Sequence, residues 1–407
     1  MTPAGLPDGC AVDTVETDRI ERLLAATPAE DLGKLYSARE LADAGDGPGR
    51  AASLAARFAA KEACLKLFPR ETALNIVTAV DFSVARDDYG APRIEVSPAA
   101  EVVLGRHRVA AIQVSLTHAP GSATAIALRV PAAVRVPLAG RVLWRWLPYR
   151  RGVIVDNLRR VYGANVDEAE IERLAQAHYG HLWALVSEMF RYRFLSARRR
   201  QALVRVEGVP EFAQAFEAGK GVLIVTGHFG NFEVATVAGL AQFPQVKGRI
   251  HFVRRPIKPK WLDALVTRRF RDAGFGVVGK KGSLEQIVTL LERGDAIVFP
   301  FDQHARRPDG IDVEFFGHAA GTFKSLAVIA LATGAPVLPA AAWREPDGRH
   351  VLRFEAPLPP IHDDDVGAEI RRNTRAYNAA LERAVVRHPE QWWWVHRRWK
   401  GAVPAPR

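Results

Sequence analysis

Only two cysteines, Cys10 and Cys64, occur in 407 residues, too few for a disulfide framework. That excludes the small stapled folds and favours a reducing, cytoplasmic setting. No basic start followed by an apolar stretch marks a signal peptide, and no window reaches the roughly 18 uninterrupted apolar residues of a spanning helix. The chain is therefore expected not to cross a membrane. Internal repeats, low-complexity tracts, zinc signatures and recognition-helix patterns are also lacking, which ranks nucleic acid last among the partners a basic surface would attract.

What the sequence does have is apolar material, 48% of its residues, enough for two or three cores. Its formal charge of +11 is unevenly spread. Residues 1–130 carry 14 Lys and Arg against 17 Asp and Glu, and the rest carries 42 against 28. A localised positive excess suits an anionic surface such as phospholipid headgroups.

The alternating apolar run ends near Val130, where Pro131 and Pro137 bracket a linker. We place one domain at 1–130, a linker at 131–137 and a second domain at 138–407. Short strand-like stretches (9–15, 81–84, 93–96, 112–116 and 123–128) and helical periodicity over 18–26 and 51–68 make the first domain α+β. In the second, helices over 153–195 precede an alternation of strands (222–226, 251–254, 276–278, 296–300) and helices (232–240, 260–273, 283–292). That predicts an α/β domain around a mostly parallel central sheet. Between them, Val136 to Tyr149 interleaves Leu138, Val142, Trp144 and Trp146 with Arg141 and Arg145. The segment reads either as an interfacial anchor lying in the headgroup layer or as an amphipathic helix packed on the second domain.

Asp13 ends an apolar run, while Glu62 and Lys66 share one face of a helix at a spacing of four. Two carboxylates from separate elements suit Mg²⁺, and a lysine beside them neutralises a phosphate or relays a proton. By spacing alone the same residues also read as a surface ion pair and a strand-end acid. The stretches GCAVDTVETDRI, RFAAKEACLK, DYGAP and VSLTH occur in the order seen in the holo-acyl-carrier-protein synthase type of phosphopantetheinyl transferase, which residues 7–130 resemble. The resemblance implies transfer of 4′-phosphopantetheine from coenzyme A to a carrier-protein serine. Asp13 and Glu62 would hold Mg²⁺, with Glu62 and Lys66 catalytic, and Lys61, Lys66 and His118 would contact coenzyme A. Arg19 would grip the acyl carrier protein, with Arg22 beside it or simply solvated. Where the family often has a glycine-rich turn, this chain has LFPRET (67–72), in which Arg70 is a candidate phosphate contact. Related synthases build sites between subunits, so a homo-oligomer is one expected arrangement.

GVLIVTGHFGNFEVATVAGL reads as strand, turn and helix, with His228 at the strand end, Asn231 as helix N-cap and Glu233 in the first turn. Glu233 is expected to reach back to one imidazole nitrogen, leaving the other to deprotonate an acceptor hydroxyl. The HFGNFE, RRP, FDQ, VEFFGHAAGT and PEQWWWVHRRWK segments resemble the lipid A biosynthesis, or Kdo-lipid, acyltransferases from about Leu138 to Lys400. That resemblance implies a His228/Glu233 dyad, with Asn231, Arg255, Asp302 and Arg397 as pocket residues. Trp392 to Trp394 read either as core or as interface aromatics. The family's usual amino-terminal membrane helix is replaced by the basic amphipathic segment and the fused domain.

Together the resemblances imply a bifunctional transferase at the inner face of the cytoplasmic membrane. Its expected partners are acyl carrier protein, a lipid or glycolipid acceptor and the membrane surface. The competing reading is a silent carrier-docking domain fused to an acyl-coenzyme A-dependent glycerolipid acyltransferase.

Overall fold

A computed structural model of the chain describes residues 9–69, 76–240, 242–254, 259–279, 282–306 and 308–400. It divides between Ala133 and Val134 into two compact units, and residues 132–137 carry neither helix nor strand.

The first unit runs β1 (Cys10–Glu16), α1 (Thr17–Ala26), α2 (Ala29–Leu32), α3 (Ala38–Ala44), α4 (Arg50–Lys66), β2 (Phe82–Arg86), β3 (Pro92–Val96), α5 (Pro98–Arg106), β4 (Val109–Ala119) and β5 (Ser122–Pro131). The α+β expectation holds. β1, β5 and β4 form an antiparallel sheet in that order, and β2 pairs with β3. Alanine is the strongest helix former and the smallest one. Ala55, Ala59, Ala60 and Ala63 bury one side of α4 completely, letting the helix lie close on β1 and β5. α5 escaped the sequence reading, although Ser97 caps it and Pro98 opens it.

The second unit runs α6 (Leu138–Trp146), α7 (Arg151–Tyr162), α8 (Glu168–Tyr192), α9 (Ala197–Ala202), β6 (Val204–Glu207), α10 (Val209–Glu217), β7 (Val222–Thr226), α11 (Phe232–Leu240), β8 (Ile250–Arg254), α12 (Lys260–Asp272), β9 (Gly276–Gly279), α13 (Leu284–Glu292) and β10 (Ala296–Pro300). Then follow β11 (Gly310–Phe315), β12 (His318–Phe323), α14 (Ser325–Thr333), β13 (Val337–Arg344), β14 (His350–Phe354) and α15 (Val366–Arg387). The seven-stranded sheet has the order β6-β14-β13-β7-β10-β8-β9, and only β13 and β14 pair antiparallel. This is the α/β layer the alternation predicts. β7 (VLIVT) and β10 (AIVFP) are buried almost throughout, as parallel strands covered on both faces must be. In such sheets ligands meet the carboxyl ends of the strands, and His228 follows one of those ends.

Candidate active sites

In the second unit, strand register brings two distant residues together. β7 and β10 are parallel neighbours with Thr226 opposite Pro300, so the residues two beyond each strand, His228 and Asp302, emerge side by side. His228 Nδ1 lies 2.9 Å from Asp302 Oδ1, and the His228 backbone N–H donates to Asp302 Oδ2 at 2.9 Å. The indole of Trp392 donates to the same Oδ2 at 2.9 Å. Gly227 leaves the necessary room, because a Cβ there would meet the Asp302 carboxyl at 3.0 Å. Gly230, at φ +53°, turns the chain where a Cβ would strike the Ala342 carbonyl at 2.6 Å. The turn is pinned by bonds from Gly230 N–H to Gln391 O and from Trp393 N–H to His228 O.

Burial works against a charged His228, but the Asp302 carboxylate and its hydrogen bond outweigh it and raise the imidazole's affinity for protons. Burial likewise opposes the Asp302 charge, yet His228 and the surrounding donors hold that carboxyl at about 2. Asp302 is thus a fixed anion behind the ring, and Nε2 is left for a substrate. The ring faces a cavity with almost wholly apolar walls, in which Thr226, Thr236 and His228 are the polar side chains. Ile224, Val298 and Ile250 line it along the sheet face, and Phe212 lines it from α10.

The expected contact between Glu233 and His228 is not formed. Glu233 starts α11 pointing the other way, and its carboxylate faces Arg269 at 3.8 Å. Burial raises the Glu233 carboxyl, with Arg269 and Arg254 pulling back. Helix geometry explains the difference: residues 232 and 233 lie about 100° apart around α11, so when Phe232 packs edge-on against His228 the next side chain turns away. Asn231 does cap the helix, accepting from Val234 N–H at 3.3 Å, and donates to Glu188 at 3.0 Å. Arg397 is exposed and does not line the cavity. Its neighbour Arg398 is the fully buried one, donating to Gly321 O and Thr322 Oγ1. Arg255 lies outside the described residues. Trp392 and Trp394 are core residues, 2% and 0% exposed.

In the first unit, Asp13 from β1 and Lys66 from α4 are 2.5 Å apart. Glu62, one turn before Lys66, has its carboxyl raised by burial and then by the Asp13 charge, with Lys66 and Arg19 opposing. Two hard carboxylate oxygens at close quarters beside two cations form a donor set that fits Mg²⁺ and a pyrophosphate. Arg19 and Arg22 are exposed on α1. His118 stands exposed near the β4–β5 turn, opposite Ala123, while Asp13 lies opposite Ala125 on the other side of β5. The structure does not join His118 to the acidic cluster.

Lys61 requires correction as a coenzyme contact. It is 0% exposed, paired with the equally buried Glu40 at 2.6 Å, and donates to Leu35 O at 2.9 Å. Glu40 in turn accepts from the backbone of Ser37 and Val84. A lysine sealed in this way ties α4 to α3 and reaches no ligand. Arg70 lies outside the described residues.

A family model of bacterial lipid A biosynthesis acyltransferases matches residues 128–401, two thirds of the chain. The chain belongs to that family. Its leading part, residues 9–127, matches the 4′-phosphopantetheinyl transferase superfamily. It is 36% identical over 120 residues to a holo-(acyl-carrier-protein) synthase of Anaeromyxobacter sp. (strain K), covering 29% of this chain and 91% of that protein. A solved holo-(acyl-carrier-protein) synthase from Neisseria meningitidis is 23% identical, with 31% of this chain and 99% of that one covered and a TM-score of 0.27. The second part is 28% identical over 198 residues to the lipid A biosynthesis palmitoleoyltransferase of Escherichia coli (strain K12). That match spans 48% of this chain and 61% of the relative's length.

In this lipid A acyltransferase-family chain the role of Asp302 escaped local reading, because its partner lies 74 residues away and only strand register joins them. The available signal was FDQ following a strand as buried as the one before His228.

Proposed function

We propose that this chain carries two transfer activities: Mg²⁺-dependent transfer of 4′-phosphopantetheine from coenzyme A to a carrier-protein serine, and transfer of an acyl group from such a carrier to a lipid hydroxyl. The observation that carries the second activity is the His228–Asp302 pair at the mouth of an apolar cavity. Asp302 accepts a hydrogen bond from Nδ1–H, stays ionised and fixes the ring. Nε2 then takes the proton of the acceptor hydroxyl as its oxygen attacks the thioester carbonyl, and returns it to the departing thiol. The cavity shelters the acyl chain from water.

For the first activity, Asp13 and Glu62 would hold the metal, which neutralises the pyrophosphate charge when bound. Lys66, paired with Asp13 at 2.5 Å, would neutralise a phosphate oxygen or pass on the serine proton. The superfamily match and the convergence of the two carboxylates support this reading.

Work at the cytoplasmic face of a membrane is supported by two adjoining apolar stripes. Leu138, Val142 and Trp146 are exposed at a spacing of four on α6. Trp183, Val186, Phe190 and Phe194 are exposed along the end of α8 and just beyond it. The two helices meet at Gly140, where a Cβ would strike the Gln176 carbonyl at 2.2 Å. Arg141, Arg145, Arg191 and Arg193 flank the stripes, an arrangement suited to an anionic headgroup layer. Among the described residues no helix is long and apolar enough to cross a membrane.

Mass spectrometry of an apo carrier protein incubated with the full chain, coenzyme A and Mg²⁺ tests the first activity. A Glu62→Gln control must abolish the gain of one phosphopantetheine mass. The resulting holo carrier, loaded with an acyl group and mixed with bacterial lipid extract, tests the second with His228→Gln as control. Equal transfer by acyl-coenzyme A and acyl carrier protein would overturn the assignment of the donor.

A further inference from the structure

α11 is a partition. Its Phe232, Thr236 and Gly239 line the apolar cavity, whereas Glu233, Val234, Val237 and Ala238 line a second cleft of about 600 Å³ on its other side. Four cations surround that cleft: Arg193 just after α8, Arg200 on α9, Lys247, and Arg269 on α12. The acids in its lining are Glu233 and Asp272, and Asp272 is engaged by Arg268 at 3.6 Å. Arg193, Arg200 and Lys247 have no carboxylate partner among the described residues. Arg269 meets Glu233 only at 3.8 Å, longer than the 2.7–2.9 Å of a charge-assisted hydrogen bond.

Arg200 is pre-positioned. It lies over the Tyr192 ring at 5.0 Å and donates one Nη to Arg193 O at 3.1 Å, while its Nε is buried with no partner. A buried donor of this kind costs free energy until an acceptor arrives. Guanidinium forks match tetrahedral phosphate oxygens, and a lysine on the facing wall adds a point charge. The cleft mouth also borders the exposed stripe: Met189, Tyr192 and Arg193 line it, while Phe190 and Phe194 lie bare to solvent.

We propose that this cleft is a phosphate subsite, holding a phosphate ester on one side of α11 while the acyl chain lies on the other. This rests on the reading of the second unit as a lipid acyltransferase. The phosphate belongs either to the headgroup of the lipid acceptor, which the adjoining apolar stripe favours, or to the phosphodiester of the donor's pantetheine arm. Glu233 then serves to hold Arg269 in the cleft wall.

Calorimetric titration of the full chain with dihexanoyl phosphatidic acid, dihexanoylglycerol and 4′-phosphopantetheine tests it without requiring turnover. The wild type should bind the phosphatidic acid about tenfold more tightly than the neutral glyceride. Arg193→Gln/Arg200→Gln should erase that preference and leave the glyceride affinity and melting temperature in place, and Lys247→Gln should erode it about threefold. A matching loss for phosphopantetheine alone would keep the phosphate subsite and assign it to the donor. Unchanged phosphate affinity in all the variants would overturn the proposal. Intact phosphate binding in a chain that transfers no acyl group would instead count against the acyltransferase reading.

Discussion

The imidazole of His228 and the carboxylate of Asp302 meet at 2.9 Å because each stands two residues past paired positions of adjacent parallel strands. The sheet holds the pair, with Trp392 and the His228 backbone sharing the second carboxylate oxygen. Asp302→Asn keeps the shape but removes the charge and offers Nδ1 an amide instead. Acyl transfer should fall on the order of a thousandfold in kcat with KM little changed, as for other bases deprived of their orienting carboxylate. Glu233→Gln, acting on Arg269 instead, should raise KM for a phosphate-bearing substrate and leave the pH profile in place. Steady-state kinetics of the two variants side by side distinguish the roles.

The same pair gives activity and stability opposite pH dependences. In the proposed reaction His228 works as a base only when neutral, and Asp302 raises its affinity for protons. Acyl transfer should therefore fall as pH drops through the His228 titration, at a pH above that of a free histidine. Because the folded-state value is raised, the stabilisation from a protonated His228 is complete below the unfolded-state value and is lost as pH rises through the folded one. Asp302, held at about 2, contributes stability above the ordinary aspartate range that is lost only as pH falls towards 2. Melting curves against pH for wild type and His228→Gln should converge at high pH and separate at mildly acidic pH.

Local patterns carried much of the fold and only part of the sites. β7, α11 and β10 were legible to the residue because buried runs and helix starts are local signals. The β11–β12 hairpin, β13, β14 and α15 were not assigned, although Phe315 pairs with His318 and Arg344 with His350 across short turns; the place of β13 beside β7 rests on a remote partner. The spacing from His228 to Glu233 suggested a contact that the helix's rotation prevents. Lys61 looked like a ligand contact because helical periodicity cannot reveal that Glu40, 21 residues earlier, would seal it in the core.

Glu62 and Lys61 are neighbours on α4 with opposite expected consequences. Removing one partner of the buried Lys61–Glu40 pair strands the other charge, so Lys61→Met should cost about 3–5 kcal/mol and lower the melting temperature of the first unit. Glu62 is itself strained, raised by burial and by Asp13. Glu62→Gln should abolish phosphopantetheine transfer while leaving thermal stability equal or slightly improved. Calorimetry and carrier-protein mass spectrometry on both variants give the two readouts.

The exposed stripes predict a salt-sensitive membrane interaction. Replacing Trp146, Phe190 and Phe194 together by serine removes large apolar groups from the stripes without touching either site. Co-sedimentation with vesicles containing anionic lipid should drop at least about tenfold, since one buried aromatic contributes about 1.5–3 kcal/mol. Transfer to a water-soluble acceptor should be unaffected. Wild-type binding should also weaken as salt screens the flanking arginines.

The sheet sets the length of the apolar cavity proposed to hold the acyl chain. Its lining includes Thr226 and Pro300 at one level, Ile224 and Val298 at the next, and Ile250 opposite Ala296. Four residues of strand from Pro300 to Ala296 span about 13 Å, room for about ten extended methylenes. Val298 sits half-way along, so Val298→Phe should block the channel and shift preference to donors about four carbons shorter. Phe212, whose ring lies tilted 4.9 Å from that of Phe354, lines the same cavity, so Phe212→Ala should widen it and broaden the range of accepted chains at some cost in stability. Competition among acyl carrier proteins bearing chains of increasing length, read by mass spectrometry of the lipid product, reports the shift. Identical product distributions for all three proteins would mean that chain length is set elsewhere.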